Sequence, residues 1–277
     1  MLRLLTIEFH KLRYNNASKI LSIIYFALLT STALITAIKY TFGDFTFHFA
    51  EMGFYNFPYI WHFNTYVAAT LKFFLLLVIV SMMSNEYSYK TLKQNLIDGL
   101  SKKEFILSKF YTVIAFAAIS TIFVFIVTLI LGLIYSDFNE PSIIFSDLEY
   151  LVALFFKLVG FFSFGLFLGV LVKRSAFAVG AMVVWFIAES ITFGILGWKF
   201  VSWETAQNIK NFFPLESMAN LIKEPLTRHN AVRSAANTMG ETFTKSYDVE
   251  FSTILIVSFW TFIFIYLSFV LLKKRDL

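Results

Sequence analysis

The stretch LVALFFKLVGFFSFGLFLGVLV at residues 151–172, followed by Lys173-Arg174-Ser175 and then AFAVGAMVVWFIAESITFGIL at residues 176–196, decides the fold. Each apolar run has the roughly 20 residues that a helix needs to cross a hydrocarbon core. Three polar residues between two such runs leave room only for a tight helical hairpin with two basic side chains at its tip. Four further runs meet the same criterion, at residues 20–38, 65–84, 110–135 and 251–272. The predicted fold is therefore an all-α integral membrane protein, one transmembrane domain over residues 1–277 with six transmembrane helices. The first run is longer than a signal-peptide core and no small-residue cleavage site follows it, so it reads as a retained span.

Composition agrees. Of the 277 residues 58% are hydrophobic, 36 are Phe, and only 15% are charged. A soluble domain carries about 25% charged residues, so these charges are too few to coat a soluble surface. This excludes a soluble globular enzyme and a disordered chain. The absence of cysteine excludes disulfides, thiolate zinc sites, iron–sulfur clusters and cysteine nucleophiles.

The net charge of +5 resolves once the spans are placed. With the amino terminus inside, fourteen of the 23 basic residues fall in inside segments, seven in outside segments and two, Lys72 and Lys157, within spans. Five acids lie inside and twelve outside. The positive-inside rule places both termini in the cytoplasm of a multi-pass protein of the cell's inner (plasma) membrane. The basic bias is thus a topology signal, and no nucleic-acid partner is predicted.

Segments outside the spans carry local signals. In residues 1–17, Leu2, Leu5, Phe9 and Leu12 share one helical face, with Arg3, Thr6, His10 and Arg13 opposite. This predicts an amphipathic interfacial helix. In residues 85–109, Tyr89, Leu92 and Leu96 share a face, Gly99 marks a left-handed helix stop, and Ser101-Lys102-Lys103-Glu104 reads as a capping box. The pattern is a helix, a sharp turn and a second helix. Residues 39–64 hold eleven aromatic rings, read either as a headgroup-level belt or as a surface for an apolar cargo. Ser146-Asp147-Leu148-Glu149 predicts another capping box, and Pro214 a helix start followed by an apolar face of Leu215, Met218, Ala219 and Ile222. Residues 227–248 read as an exposed loop or small cap.

Catalytic motifs are missing. There is no Walker A loop, no His-Glu-x-x-His among His10, His48, His62 and His229, and no Gly-x-Ser-x-Gly elbow. No catalytic residue and no metal site is predicted. The intramembrane charges Lys72, Lys157 and Glu189 stand out because a charge in lipid costs a few kcal/mol. Counting from the span ends puts all three at one depth, roughly 9–11 Å below the outer boundary. Two readings stay open. Either the lysines snorkel and the acid is hydrogen-bonded within the bundle, or Glu189 pairs with Lys157 or Lys72 along a translocation path. Gly165 and Gly169, and Ala176 and Gly180, form small-x3-small steps suited to helix packing or to a dimer seam.

Taken together, six spans, an amphipathic amino-terminal helix, a helix–turn–helix after the second span and a longer external segment before the sixth resemble a permease subunit of an ATP-binding-cassette (ABC) transporter of the type two export family. The most specific match runs through Glu86, Thr91, Leu92, Leu96, Gly99, Ser101, Lys102, Phe105, Ser108 and Lys109. It is similar to that family's Glu-x(n)-Gly-Thr-Leu…Ser-Arg-x-x-Phe…Lys pattern, with Lys90 in place of the usual Gly and Lys102 in place of Arg. The resemblance implies a non-catalytic subunit of an exporter that moves a substrate outward. It implies a separate ABC ATPase subunit, which would bind ATP and Mg, and a second permease subunit forming a homodimer or a related heterodimer. The segment 85–109 would be a cytoplasmic coupling helix and turn, with Glu86, Tyr87, Tyr89, Thr91, Leu92, Leu96, Ile97 and Lys102 as the ATPase-coupling residues. An ion-coupled secondary transporter or an integral membrane enzyme is the alternative.

Overall fold

Apolar length and end-capping set the helix boundaries. The computed structural model describes residues 2–42, 45–47, 49–229, 232–234 and 246–275. Helix α1 (Leu2–Tyr14) leads into α2 (Asn16–Ala37), then two short strands, β1 (Tyr40–Phe42) and β2 (Phe45–Phe47). There follow α3 (Tyr59–Leu71), α4 (Phe73–Ser88), α5 (Thr91–Ile97), α6 (Lys102–Tyr135), α7 (Pro141–Ile144), α8 (Glu149–Val172) and α9 (Ser175–Ile195). The chain closes with α10 (Trp203–Lys210), α11 (Pro214–Asn220) and α12 (Phe251–Lys273). Among the described residues five helices are long and apolar enough to cross a membrane, and α3 with α4 makes a sixth if that bent pair is one span.

Several local readings are met. Asn15 separates α1 from α2 because its side chain accepts a hydrogen bond from the Ser18 N–H at 3.0 Å, the geometry of an N-cap. Ser101 and Glu104 form the expected capping box of α6. Gly99 adopts φ +93°, a conformation costly for a side-chain-bearing residue. Pro214 occupies the first turn of α11.

Other readings are corrected. The second span is not one helix over 65–84: it starts at Tyr59 and bends by 41° at Lys72. There the Lys72 ammonium donates to the Ala69 carbonyl at 3.0 Å, and a side chain joined to the backbone ladder is an ordinary cause of a kink. The all-α class stands, with one short antiparallel pair, β1 and β2, after α2 that the sequence reading did not name. The rings from Phe54 onward form no belt: Phe54, Tyr55, Phe57, Trp61 and Phe63 are buried. Trp61 stacks on Phe125 with centroids 5.5 Å apart and donates to the Ile144 carbonyl at 2.7 Å. The capping box at 146–149 does not form: Asp147 sits at φ +60° and Ser146 bonds back to the Ile143 carbonyl. Much of the loop expected at 227–248 lies outside the described residues.

Helix α8 is apolar all round and is the buried centre of the bundle, whereas α9 keeps only 6% of its span buried. Glycines let neighbours reach α8. A Cβ on Gly165 would stand 2.3 Å from Leu76 Cδ1, one on Gly160 2.8 Å from Val257 Cγ1, and one on Gly169 3.1 Å from Met83 Cβ. The Gly165/Gly169 step therefore packs α8 on α4 within the chain, while Gly180 on α9 faces open space.

The bundle has two distinct ends. Arg275 donates to the last carbonyls of α8, Val170 at 2.5 Å and Leu171 at 3.0 Å, and to the Tyr87 hydroxyl at 2.9 Å. Lys102 donates to the Arg275 carbonyl at 2.9 Å, and Lys11 meets Glu86 at 2.8 Å. The amino-terminal helix, the 85–109 segment, the 173–174 hairpin tip and the carboxyl end thus share one end. At the other end Asp147 meets Arg228 at 2.7 Å, and Asn56 meets Asp137 at 3.1 Å.

Gly165→Leu should lower stability in detergent by about 1–3 kcal/mol, the usual cost of overpacking a filled site. Gly180→Leu should leave the unfolding midpoint unchanged. Thermal unfolding of the two purified variants checks the contrast.

Candidate functional site

The segment expected to matter most, 85–109, is built around a carboxylate. Glu86 lies in the last turn of α4 and is almost wholly buried. Its Oε1 accepts from Lys109 Nζ at 2.5 Å and Lys11 Nζ at 2.8 Å, and its Oε2 from Thr91 Oγ1 at 2.6 Å and Asn95 Nδ2 at 3.2 Å. Lys109, at 0% exposure, also donates to Glu8 Oε2 at 2.6 Å. Two acids and two bases from α1, α4 and α6 therefore form a neutral cluster, buried but for the part-exposed Lys11, and α5 is tied to it through Thr91 and Asn95. Such burial is tolerable only when each charge is paired and its remaining hydrogen-bonding capacity is met.

Sequence reading named Glu86 and Thr91 but missed Glu8 and Lys109 as members of this cluster. A signal existed. Glu8 falls on the same helical stripe as Leu5 and Leu12, an acid within an apolar face. Lys109 is flanked at helical spacing by Phe105, Thr112 and Val113, all buried.

The remaining residues of the segment separate into two sets. Leu92 is buried and Leu96 half-buried beneath α5. Tyr89 does not share their face: it lies outside the helix and is 72% exposed, because Lys90 turns the chain through φ +57°. Ile97 is 70% exposed. Tyr87 and Lys102 point toward the end of α12, where they hold Arg275 and the terminal carbonyls.

The intramembrane charges are brought together around one cavity of about 350 Å3 that Lys72, Lys157 and Glu189 all line. Of the two readings left open for Glu189, the structure shows the acid hydrogen-bonded within the bundle and not paired with a lysine. Glu189 Oε1 instead accepts from Trp185 Nε1 at 2.8 Å and from the Leu215 N–H at 3.1 Å. Lys157 Nζ donates to the Ala219 and Ile222 carbonyls at 3.2 and 3.3 Å. Helix α11 is thus held at its start by a carboxylate and at its end by an ammonium, the signs its dipole favours. That division gives each group hydrogen-bond partners, but among the described residues neither is paired with an opposite charge.

At the opposite end, Arg228 bridges Asp147 and the Tyr150 hydroxyl, the latter at 3.0 Å. Burial works against the Arg228 charge, but the Asp147 hydrogen bond and the nearby Tyr150 hydroxyl outweigh it and raise the pKa above its ordinary value. His229 stacks on Phe54 with centroids 4.1 Å apart, and burial holds its imidazole below the usual histidine range. These contacts fasten the segment before α12 to the bundle. Among the described residues no group of three or more His, Asp or Glu could hold a metal ion.

The fold and these clusters define a helical protein whose long helices match the thickness of a membrane. Residues 55–277 match a family described as "Protein of unknown function (DUF2705)", and the chain belongs to that family. The matched stretch contains Glu86, α5, Lys109 and all three cavity charges, but not Glu8 and Lys11. No curated protein matches the chain.

Glu86→Gln should destabilise the protein by about 3 kcal/mol, because it leaves the buried Lys109 and the part-exposed Lys11 sharing one carboxylate. Adding Lys109→Gln should recover part of the loss. A double-mutant cycle on thermal unfolding measures the coupling, and additive effects would refute a single cluster.

Proposed function

We propose that the chain is the transmembrane subunit of an ABC exporter of the type two export family, moving a substrate outward with ATP hydrolysed by a separate ATPase subunit. On this reading α5 is the coupling helix and the end of the bundle that carries it faces the cytoplasm. The chain is a multi-pass protein of the inner membrane with both termini inside. It works with a second permease subunit, identical or related, and binds no nucleotide itself.

The carrying observation is the two-sided character of α5. One side presents Lys93, Gln94 and Ile97 at the end of the bundle, with Tyr89 just before the helix, all exposed. The other side is wired through Thr91 and Asn95 to Glu86, and through Glu86 to α1 and α6. An exposed isoleucine and tyrosine beside lysines suit a protein partner better than bare water. A displacement of α5 would be felt by three helices at once. Lys90 supports the resemblance from another direction: its φ of +57° is a left-handed conformation that favours the glycine of the pattern it resembles. For ATP to drive the cycle, the ATPase must bind one arrangement of the bundle more tightly than the other.

The test is purification of the tagged full chain from its native membrane. An ATPase with a Walker A loop should copurify in near-stoichiometric amount. Ile97→Asp and Lys93→Glu should reduce its recovery about tenfold, a loss of about 1.4 kcal/mol, without shifting the unfolding midpoint. Transport that persists without any ATPase and follows an ion gradient would defeat the proposal.

A further inference from the structure

The cavity of about 350 Å3 that Lys72, Lys157 and Glu189 line is not explained by coupling to an ATPase. Its walls are mainly apolar, with Phe161, Met182, Val183, Phe186, Leu215 and Met218. Val183 and Phe186 are more than half exposed on α9, and so is Phe73 beside Lys72. The mouth therefore opens on the side of the bundle, among residues that would meet acyl chains. A second cavity of about 390 Å3 shares Lys72, Phe73, Lys157 and Ala219 with the first and has polar walls, including Tyr66, Thr70, Asn220 and Lys223. The two lysines stand where an apolar chamber meets a polar one.

The charges at this junction do not balance. Among the described residues neither Lys72 nor Lys157 is within ion-pair distance of a carboxylate. Lys157 has only backbone carbonyls, while Lys72 has one carbonyl and the face of Phe161, 4.6 Å from its centroid. Glu189 lies beyond ion-pair distance of both, and its Oε1 accepts from Trp185 and the Leu215 N–H. Glu216, which also lines the chamber, is paired with Lys210 at 2.9 Å, and Glu224, which lines the second cavity, accepts from the Thr227 hydroxyl at 2.7 Å. Poorly paired charges of one sign in a half-dry chamber are costly, and an entering anion removes the cost.

We infer that the joined cavities bind an anionic amphiphile, with its acidic headgroup between Lys72 and Lys157 and its hydrocarbon chain along Phe161, Met182 and Phe186. That this molecule is the exported cargo rests on the permease proposal; the binding itself does not.

The experiment uses the delipidated full chain in detergent and native mass spectrometry. It is titrated with phosphatidylglycerol or with phosphatidylcholine of the same acyl chains, in the presence or absence of inorganic phosphate. A one-to-one phosphatidylglycerol adduct should form at about tenfold lower concentration than the phosphatidylcholine adduct. Lys72→Gln should erase that preference and Lys72→Arg should keep it. Met182→Trp, which fills the apolar chamber, should weaken the adduct without changing the unfolding midpoint. Lys157→Gln is avoided as the sole test because Lys157 also holds α11. Equal binding of the two lipids overturns the inference, as does a preference untouched by Lys72→Gln. Displacement by millimolar phosphate would also overturn it, since the site would then take a soluble anion with no need of a tail. No ATPase takes part, so failure here leaves the permease proposal standing, and loss of that proposal leaves the adduct measurable.

Discussion

The constraint on which the rest of the structure depends is the burial of Lys109. An ammonium with no exposed surface, near the start of a 34-residue helix, must find compensating charge or the helix cannot pack. Glu8 and Glu86 supply it, and in doing so they bring the amino-terminal helix and the end of α4 to the same place. Lys11 restores neutrality, because two carboxylates on one lysine would leave a net negative charge in a dry site. The remaining lone pairs of Glu86 are met by Thr91 and Asn95, which fixes the short helix α5. A seven-residue helix is too short to persist on its own, so its position follows from this cluster and from the burial of Leu92 beneath it.

Around that fixed end the bundle is organised by α8. Its uniform apolarity puts it at the centre, and Gly160, Gly165 and Gly169 set how closely α12 and α4 approach. Polar bonds between helices add definition within the apolar interior: Asn64 to Thr128 links α3 to α6, and Tyr25 to Ser120 links α2 to α6. Helix α9 is the exception. It touches the bundle mainly along one edge, is exposed over most of its length, and forms one wall of the lysine-lined cavity.

How much of the site could be read in advance depends on the range of the interaction. Ser101 and Glu104 are three residues apart, and their reciprocal cap follows from spacing alone. Ser146 and Glu149 have the same spacing, yet no cap forms, because Asp147 is drawn to Arg228 across 81 residues. Tyr89 shows the same limit on a smaller scale. Its helical spacing to Leu92 and Leu96 is real, but the left-handed turn at Lys90 places it outside the helix. Lys72, Lys157 and Glu189, which counting from the span ends puts at similar depth, line one chamber. Apart from Trp185, four residues before Glu189, their hydrogen-bond partners are backbone groups of α3 and of the segment from Leu215 to Ile222, which leave no trace in side-chain patterning.

By itself the sequence determined the number and approximate ends of the apolar helices, the tight hairpin at 173–175, the helix–turn–helix after the second span, and the segregation of basic residues to one end. These depend on apolar length, helical spacing and interactions within about four residues. Only the tertiary structure decided that Glu8 and Glu86 share Lys109, that Glu189 and Lys157 hold opposite ends of α11, and that two lysines border a chamber whose carboxylates lie beyond ion-pair distance of them. The reason is separation. Glu8 and Lys109 are 101 residues apart, and Lys157 and Ile222 are 65 apart. No local periodicity spans such distances, and only the packing of helices from distant parts of the chain, α1 on α6 and α8 beside α11, brings those groups within reach.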